Sequence, residues 1–115
     1  MELKSKSKLV EQTLIIVKPD AVKRNLVGEI LSRFEKSGFS ISKLKMFSFT
    51  VEMAEQFYAA HNSKPFFGEL VSFISSGNVV AAVIEGDNVI GITRKIIGKT
   101  NPKEASPDTI RGDFG

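Results

Sequence analysis

The sequence has no cysteine and no tryptophan, and only one histidine and one tyrosine, among its 115 residues. Without cysteine there can be no disulfide, thiolate metal site or cysteine nucleophile. No apolar run approaches the roughly 18 residues that a membrane span requires. The opening MELKSKSKLVE has no apolar segment of signal-peptide length behind its charges, so we expect a cytoplasmic protein without a membrane partner.

The residues that are present indicate one globular domain. Hydrophobic residues make up 42% of the chain and charged residues 25%, with a net charge of +3, which is typical of folded proteins. The basic residues are spread along the chain, which argues against a specific nucleic-acid surface and leaves small anions as partners. We expect residues 1–11 to form a mobile leader and residues 12–115 to form the domain.

Hydrophobic patterns predict the element order βαβααβα. The run TLIIVK, residues 13–18, predicts a buried central strand, and residues 39–49 predict a strand whose alternation changes phase, as at a bulge. Residues 78–85 predict a third strand, followed by a turn at Gly86 and Asp87.

The helices are predicted from their caps as well as their periodicity. The first helix is predicted to begin at Val27 and to end at Gly38, and Thr50 is predicted to cap the second. The third is predicted from Pro65 to Gly77, and the fourth from Asn88 to Gly98. From Lys99 onward about seventeen residues lack periodicity, and such long loops are usually functional or disordered.

Several short motifs match known signatures only in part. GKT, residues 98–100, lacks the strand and the earlier glycine of a phosphate-binding P-loop, because Thr93 stands where that glycine is needed. DFG at 113–115 has none of the other protein-kinase signatures, and RGD at 111–113 would need display outside the cell. His61 alone, at a helix end, is typical of a solvated or capping residue.

Five segments in order resemble one family over residues 12–115. They are TLIIVKPDAVKRNLVGEILSRFEKSGF, FYAAHNSKPFF, SGNVVAAVIEG, the span from Arg94 through IIGKTNP, and TIRGDF. Together they resemble nucleoside diphosphate kinase. The resemblance implies transfer of the terminal phosphate of a nucleoside triphosphate to a nucleoside diphosphate through a phosphohistidine, with Mg²⁺ on the phosphates. It also implies an α+β, ferredoxin-like antiparallel sheet with packed helices, and a homo-oligomer in which Pro102 supports subunit packing.

The resemblance assigns roles residue by residue. Lys18 resembles the lysine that contacts the sugar 3′ hydroxyl and the transferring phosphate, a task that suits a compact charge. Tyr58 resembles the tyrosine beside the nucleophile. The remaining matched residues are nucleotide contacts: Phe66 and Leu70 on the base side, and Arg94, Thr100 and Arg111 on the phosphates. Core packing is the alternative role for the aromatic residues, and a surface position is the alternative for Lys18.

The sequence departs from the family's pattern at one functional point. The family's nucleophilic histidine follows the TIRGDF segment, and the 115 residues end before it. We therefore expect the chain by itself to be inactive and to lack the family's last strand and C-terminal helix, which would leave the first strand as an apolar edge. A non-catalytic nucleotide-binding or assembly module is the main alternative. An RNA-binding domain is the third, although KSGFSIS, residues 36–42, matches an RNP motif poorly.

Overall fold

Three antiparallel strands form one sheet in the order β1-β3-β2. The computed structural model describes residues 10–98, 103, 105–107 and 109–114. The strands are β1 (Val10–Val17), β2 (Ser40–Ser48) and β3 (Asn78–Asp87), and the helices are α1 (Pro19–Lys23), α2 (Val27–Lys36), α3 (Val51–Phe57), α4 (Phe67–Ile74), α5 (Val89–Ile97) and α6 (Ile110–Phe114), with a 3₁₀ turn at Ala59–His61. The predicted α+β class with an antiparallel sheet and packed helices is confirmed.

The two faces of β3 supply two apolar cores. Val80, Ala82 and Ile84 alternate along one face and are almost fully buried with α2 and the start of α5, as period-two alternation requires. Val79 faces the other way and packs with α3 and α4. The sheet is therefore covered by helices on both sides, and β3 is its most buried strand.

The prediction that TLIIVK is a central strand was wrong, whereas the apolar edge expected in the absence of the family's last strand is observed. TLIIVK does not form a central strand, because β1 pairs with β3 on one side only and no strand in the described part of the chain pairs with its other edge. Leu14 on β1 is 56% exposed. Hydrophobicity alone predicted a buried strand correctly for Ile15 and Val17 but could not tell how many neighbours that strand has.

The structure also differs from the sequence predictions at one turn and at two short helices. Gly86 and Asp87 do not form a turn, since both pair with β1 inside β3, and the chain turns at Asn88, which has φ of 56°. The five-residue helices α1 and α6 were not predicted, because helices this short carry almost no periodic signal. The predicted leader lies outside the described residues up to residue 9, and its last two residues belong to β1.

Two predicted local features, a strand irregularity and a helix cap, are confirmed. The register of β2 against β3 shifts between Ile41 and Lys43, which is the predicted irregularity. Thr50 accepts a hydrogen bond at its Oγ1 from the Met53 N–H at 3.1 Å, as an N-cap should. None of the described helices is long and apolar enough to cross a membrane.

Candidate functional site

A cavity of about 550 Å³ lies beside β1, with walls from β1, α1, α2, α5 and α6. Its apolar lining comes mainly from core residues such as Ile15, Ile30 and Phe34. Its charged lining is dominated by four basic side chains: Lys18, Arg24, Arg94 and Arg111. One acidic residue, Asp20, also lines it. The excess of positive charge in one concave place suits an anion.

Lys18 is placed by the junction of β1 and α1. It is the N-cap of α1, with an extended backbone (φ −76°, ψ 167°), and Pro19 follows as the first helical residue. Proline favours the first helical position and holds the preceding residue in an extended conformation. Pro19 is almost fully buried, so the direction of the chain at Lys18 is fixed.

Arg94 is placed by α5, which begins immediately after β3. The helix is fixed at its start by Val89, which is fully buried, and by Glu11, whose Oε1 accepts a hydrogen bond from the Ile90 N–H at 3.3 Å. The neighbour of Arg94, Thr93, is 5% exposed and lines the cavity, and its Oγ1 has no hydrogen-bond partner within the described ranges. A buried hydroxyl without a partner is costly, so the cavity favours a polar occupant.

Arg111 is placed by α6 and by two glycines. Its Nη1 donates a hydrogen bond to the Gly98 carbonyl oxygen at 3.2 Å. Gly98 has φ of 92°, which favours glycine. A Cβ at Gly112 would overlap the Ser106 carbonyl oxygen and lie 2.8 Å from Thr109 Oγ1. The glycines in GKT and RGD therefore allow the close backbone approach that holds Arg111.

The aromatic residues of the predicted site form a second group, which follows the C-terminal end of α3. The ring centroids of Tyr58 and His61 lie 6.3 Å apart, and those of His61 and Phe66 lie 6.1 Å apart. Lys64 Nζ lies 5.7 Å from the Phe66 ring centroid. Leu70 lies one turn beyond Phe66, since its N–H donates to the Phe66 carbonyl at 3.1 Å. Phe66 is 42% exposed, which leaves a ring face open to a ligand.

The structure brings together part of the predicted site. Lys18, Arg94 and Arg111 line one cavity, whereas Tyr58, Phe66 and Leu70 do not line it. Phe57 connects the groups, because it lines the cavity and its ring lies 4.9 Å from that of Tyr58. Thr100 and Pro102 lie outside the described residues.

Arg24 was missed as a residue of the cavity. Its Nη1 donates to the Phe114 carbonyl oxygen, which joins the end of α1 to the end of α6 across 90 positions of sequence. The sequence contains no signal for this contact, since α6 itself was not predicted. A basic residue in an exposed turn is ordinarily a solvated one.

Burial raises the pKa of Tyr58 above its ordinary value. The phenol is therefore protonated at neutral pH and able to donate a hydrogen bond. Because Tyr58 is the only tyrosine, absorbance at alkaline pH reports this residue alone. We expect the midpoint of the phenol titration to lie above about pH 10 in the folded protein and near pH 10 in the protein unfolded by urea. The contribution of Tyr58 to folding stability should be constant below pH 10 and should decline as pH rises through the folded pKa; equal midpoints would contradict this.

The arrangement defines an antiparallel α+β domain with a cavity beside β1 that basic side chains line. A family model for nucleoside diphosphate kinase matches residues 11–115. The chain is 58% identical over 106 residues to a nucleoside diphosphate kinase of Halalkalibacterium halodurans, covering 92% of this chain and 72% of that one. It is 55% identical to that of Thermus thermophilus, covering 91% of this chain and 77% of that one.

Solved structures agree. The Aquifex aeolicus nucleoside diphosphate kinase superposes with a TM-score of 0.89 at 53% identity, covering 93% of this chain and 78% of that one. A Halobacterium salinarum nucleoside diphosphate kinase, solved in complex with CDP, superposes with a TM-score of 0.90 at 44% identity. The match covers 93% of this chain and 70% of that one. The chain belongs to the nucleoside diphosphate kinase family. The predicted family, the ferredoxin-like fold and the phosphotransferase function are thereby confirmed.

Proposed function

We propose that the cavity binds the phosphates of nucleoside di- and triphosphates through Lys18, Arg94 and Arg111. One observation supports this above all: three basic side chains from three separate elements line a single cavity. The planar arginine forks can each hold two phosphate oxygens, and the lysine supplies a compact charge. Thr100 would add a hydroxyl contact.

The same residues would serve catalysis by position and charge. Phosphoryl transfer depends mostly on orientation and on stabilising charge on the equatorial oxygens. Lys18 would contact the transferring phosphate and the sugar 3′ hydroxyl. Tyr58, protonated at neutral pH, would donate a hydrogen bond beside the nucleophile. Each fixed donor of this kind is worth about 10²- to 10³-fold in rate.

Mg²⁺ would be held mainly by the nucleotide. Within the described ranges, no group of three histidine, aspartate or glutamate side chains is close enough to hold a metal ion. Mg²⁺ commonly retains waters and binds substrate phosphates with few protein ligands, which fits a site lined by basic side chains. When bound, the ion would neutralise phosphate charge, while Lys18 and the two arginines hold the remaining oxygens.

Calorimetric titration with ADP, GDP and CDP in the presence of Mg²⁺ tests the proposed binding site. We expect similar affinities for the three bases, because stacking on Phe66 tolerates any base, and competition by inorganic pyrophosphate. Lack of binding by all three nucleotides would contradict the proposal. Strong discrimination between bases would contradict the stacking role alone.

Replacing Phe66 with alanine should weaken binding of ADP by about 5- to 150-fold, the equivalent of about 1–3 kcal/mol for one stacked base. Leu70 would support the same side of the base. Phe73→Ala is a matched control, because Phe73 lies on α4 and is 39% exposed. The affinity for pyrophosphate should stay unchanged in both variants. An unchanged affinity of Phe66→Ala for ADP would mean that the ring only packs.

We also propose a division between binding and turnover. The single histidine, His61, does not line the cavity, so the 115 residues by themselves should bind nucleotides without sustained transfer. The non-catalytic binding module thus remains the second candidate for the isolated chain. A coupled assay on protein whose mass is verified as 115 residues decides this, since sustained turnover would contradict it.

A cytoplasmic homo-oligomer is the proposed state of the protein. Leu44 and Met46 on the edge strand β2 are more than half exposed, and exposed apolar side chains on an edge strand favour pairing with another copy. Pro102, which is proposed to support subunit packing, lies outside the described residues. Light scattering coupled to gel filtration would measure the mass in solution.

A further inference from the structure

We propose that Arg33 on α2 is a positioning residue that holds α6, and with it Arg111, at the cavity. The inference rests on the proposed function of Arg111 as a phosphate ligand. It gives the arginine of the SRFEK segment a role, although this residue does not line the cavity.

Helix α6 depends on contacts with the rest of the domain. It spans five residues, Ile110–Phe114, and helices shorter than about 12 residues are marginal without tertiary support. Its apolar residues, Ile110 and Phe114, are only partly buried against the main core. Polar contacts therefore have a large share in fixing where the helix lies.

Arg33 makes two different contacts with α6. Its Nη2 lies 2.8 Å from Asp113 Oδ2, and its Cζ lies 4.7 Å from the Phe114 ring centroid. The side chains of Arg33 and Asp113 are only 21% and 29% exposed. A partly desolvated ion pair with an added cation–π contact is stronger than an exposed surface pair.

Arg33 is itself held in place on α2. Its Nε lies 3.5 Å from Glu29 Oε2, one turn earlier on α2, and the next residue, Phe34, is 1% exposed in the core. The guanidinium fork can therefore meet Glu29 on one side and Asp113 on the other. A lysine could keep the charge, but it could not reproduce this forked geometry.

The backbone of α6 links the contact between Arg33 and Asp113 to the cavity. Asp113 is two residues beyond Arg111, and between them Gly112 lies too close to Ser106 for any larger side chain. The Gly112 N–H also donates to Thr109 Oγ1 at 3.0 Å. A shift of α6 away from Arg33 would therefore move Arg111 away from the Gly98 carbonyl and from the cavity.

Arg33→Met tests the inference with two independent readouts, because it keeps the bulk and removes the charge. Hydrogen exchange of the amides of 109–114 reports the position of α6 without any nucleotide. Titration with ADP and Mg²⁺ reports Arg111. We expect faster exchange and about tenfold weaker binding, within the range of measured couplings between neighbouring groups. Arg33→Lys should give an exchange rate and an ADP affinity between those of the original protein and those of Arg33→Met.

Asp113→Asn approaches the same contact from α6, with little change of shape. We expect it to weaken ADP binding as Arg33→Met does. The double variant Arg33→Met/Asp113→Asn should bind ADP no more weakly than the weaker-binding of the two single variants. Lys36→Met is the control, because it removes one positive charge from the exposed end of the same helix. It should leave both readouts unchanged.

The outcomes separate failure of this inference from failure of the proposed function. Unchanged exchange of 109–114 in both Arg33→Met and Asp113→Asn would overturn the positioning role, whatever happens to ADP. Faster exchange with unchanged ADP affinity would overturn the link to the cavity. In that case Arg111→Ala decides where the error lies: if it also binds ADP normally, the proposed function of Arg111 has failed as well. An equal effect in Lys36→Met would overturn the inference in favour of net charge.

Discussion

Arg111→Ala should weaken binding of ADP in the presence of Mg²⁺ by about 10- to 150-fold. A hydrogen bond to a charged group contributes about 1.5–3 kcal/mol, and every 1.4 kcal/mol or so is tenfold in affinity. In protein that contains the family's nucleophile, the rate of transfer should fall by about 10²- to 10³-fold. Calorimetric titration measures the first effect and a coupled nucleotide assay measures the second.

A structural contact of Arg111 makes a second variant necessary. The side chain also donates to the Gly98 carbonyl, so alanine could act by loosening the chain there. Arg111→Lys retains the charge without the fork, and we expect an intermediate affinity. Thermal unfolding of both variants should stay close to that of the original protein. Weak binding that accompanies a large loss of stability would point to the Gly98 contact instead of the phosphate.

The neighbouring residues Arg94 and Lys95 provide a control for charge. Arg94 lines the cavity beside β1, whereas Lys95 lines a separate one with Glu11 and Asn88. Arg94→Ala should therefore weaken ADP binding as Arg111→Ala does, and Lys95→Ala should not. Both changes remove one positive charge from the same helix. Equal effects would mean that net charge, and not a built site, attracts the nucleotide.

The fold was predictable where local chemistry decides it. Thr50 and Gly98 define helix ends through a side-chain cap and a positive φ, and both could be assigned from residue type. The existence of α6 could not, and the edge position of β1 was expected from the family resemblance and not from the hydrophobic pattern. Pairing partners and short helices depend on contacts distant in sequence, such as Arg24 with Phe114, and periodicity does not carry that information.

The candidate site was predictable through ordered motifs and not through any single one. GKT and RGD had no convincing function by themselves, whereas their place in the family pattern assigned Arg111. The structure adds the reason for the adjacent glycines, since Gly112 has no room for a side chain. It also adds Arg33, which no motif assigned, because its partner Asp113 is 80 positions away.

Phe34→Ala should reduce the free energy of unfolding by about 3–5 kcal/mol, the usual range for a buried phenylalanine. Phe34 is 1% exposed and packs between α2 and the sheet. The free energy of unfolding of a typical domain is about 5–15 kcal/mol, so this loss is a large share of the total stability. Phe73→Ala, on α4 and 39% exposed, should cost far less. Urea unfolding measures both, and equal losses would contradict the assigned core.

Phe34→Ala and Arg111→Ala should separate stability from binding. A ligand that binds only the folded state adds RT ln(1 + [L]/Kd), about 2.7 kcal/mol at a concentration 100 times Kd. Phe34 lines the cavity at its apolar wall and makes no polar contact there, so Phe34→Ala should start less stable yet gain nearly as much from ADP as the original protein. Arg111→Ala should start almost as stable and gain much less. If Phe34→Ala lost the ADP-dependent gain while still folded, the apolar wall would itself be shaping the phosphate site through α2 and Arg33.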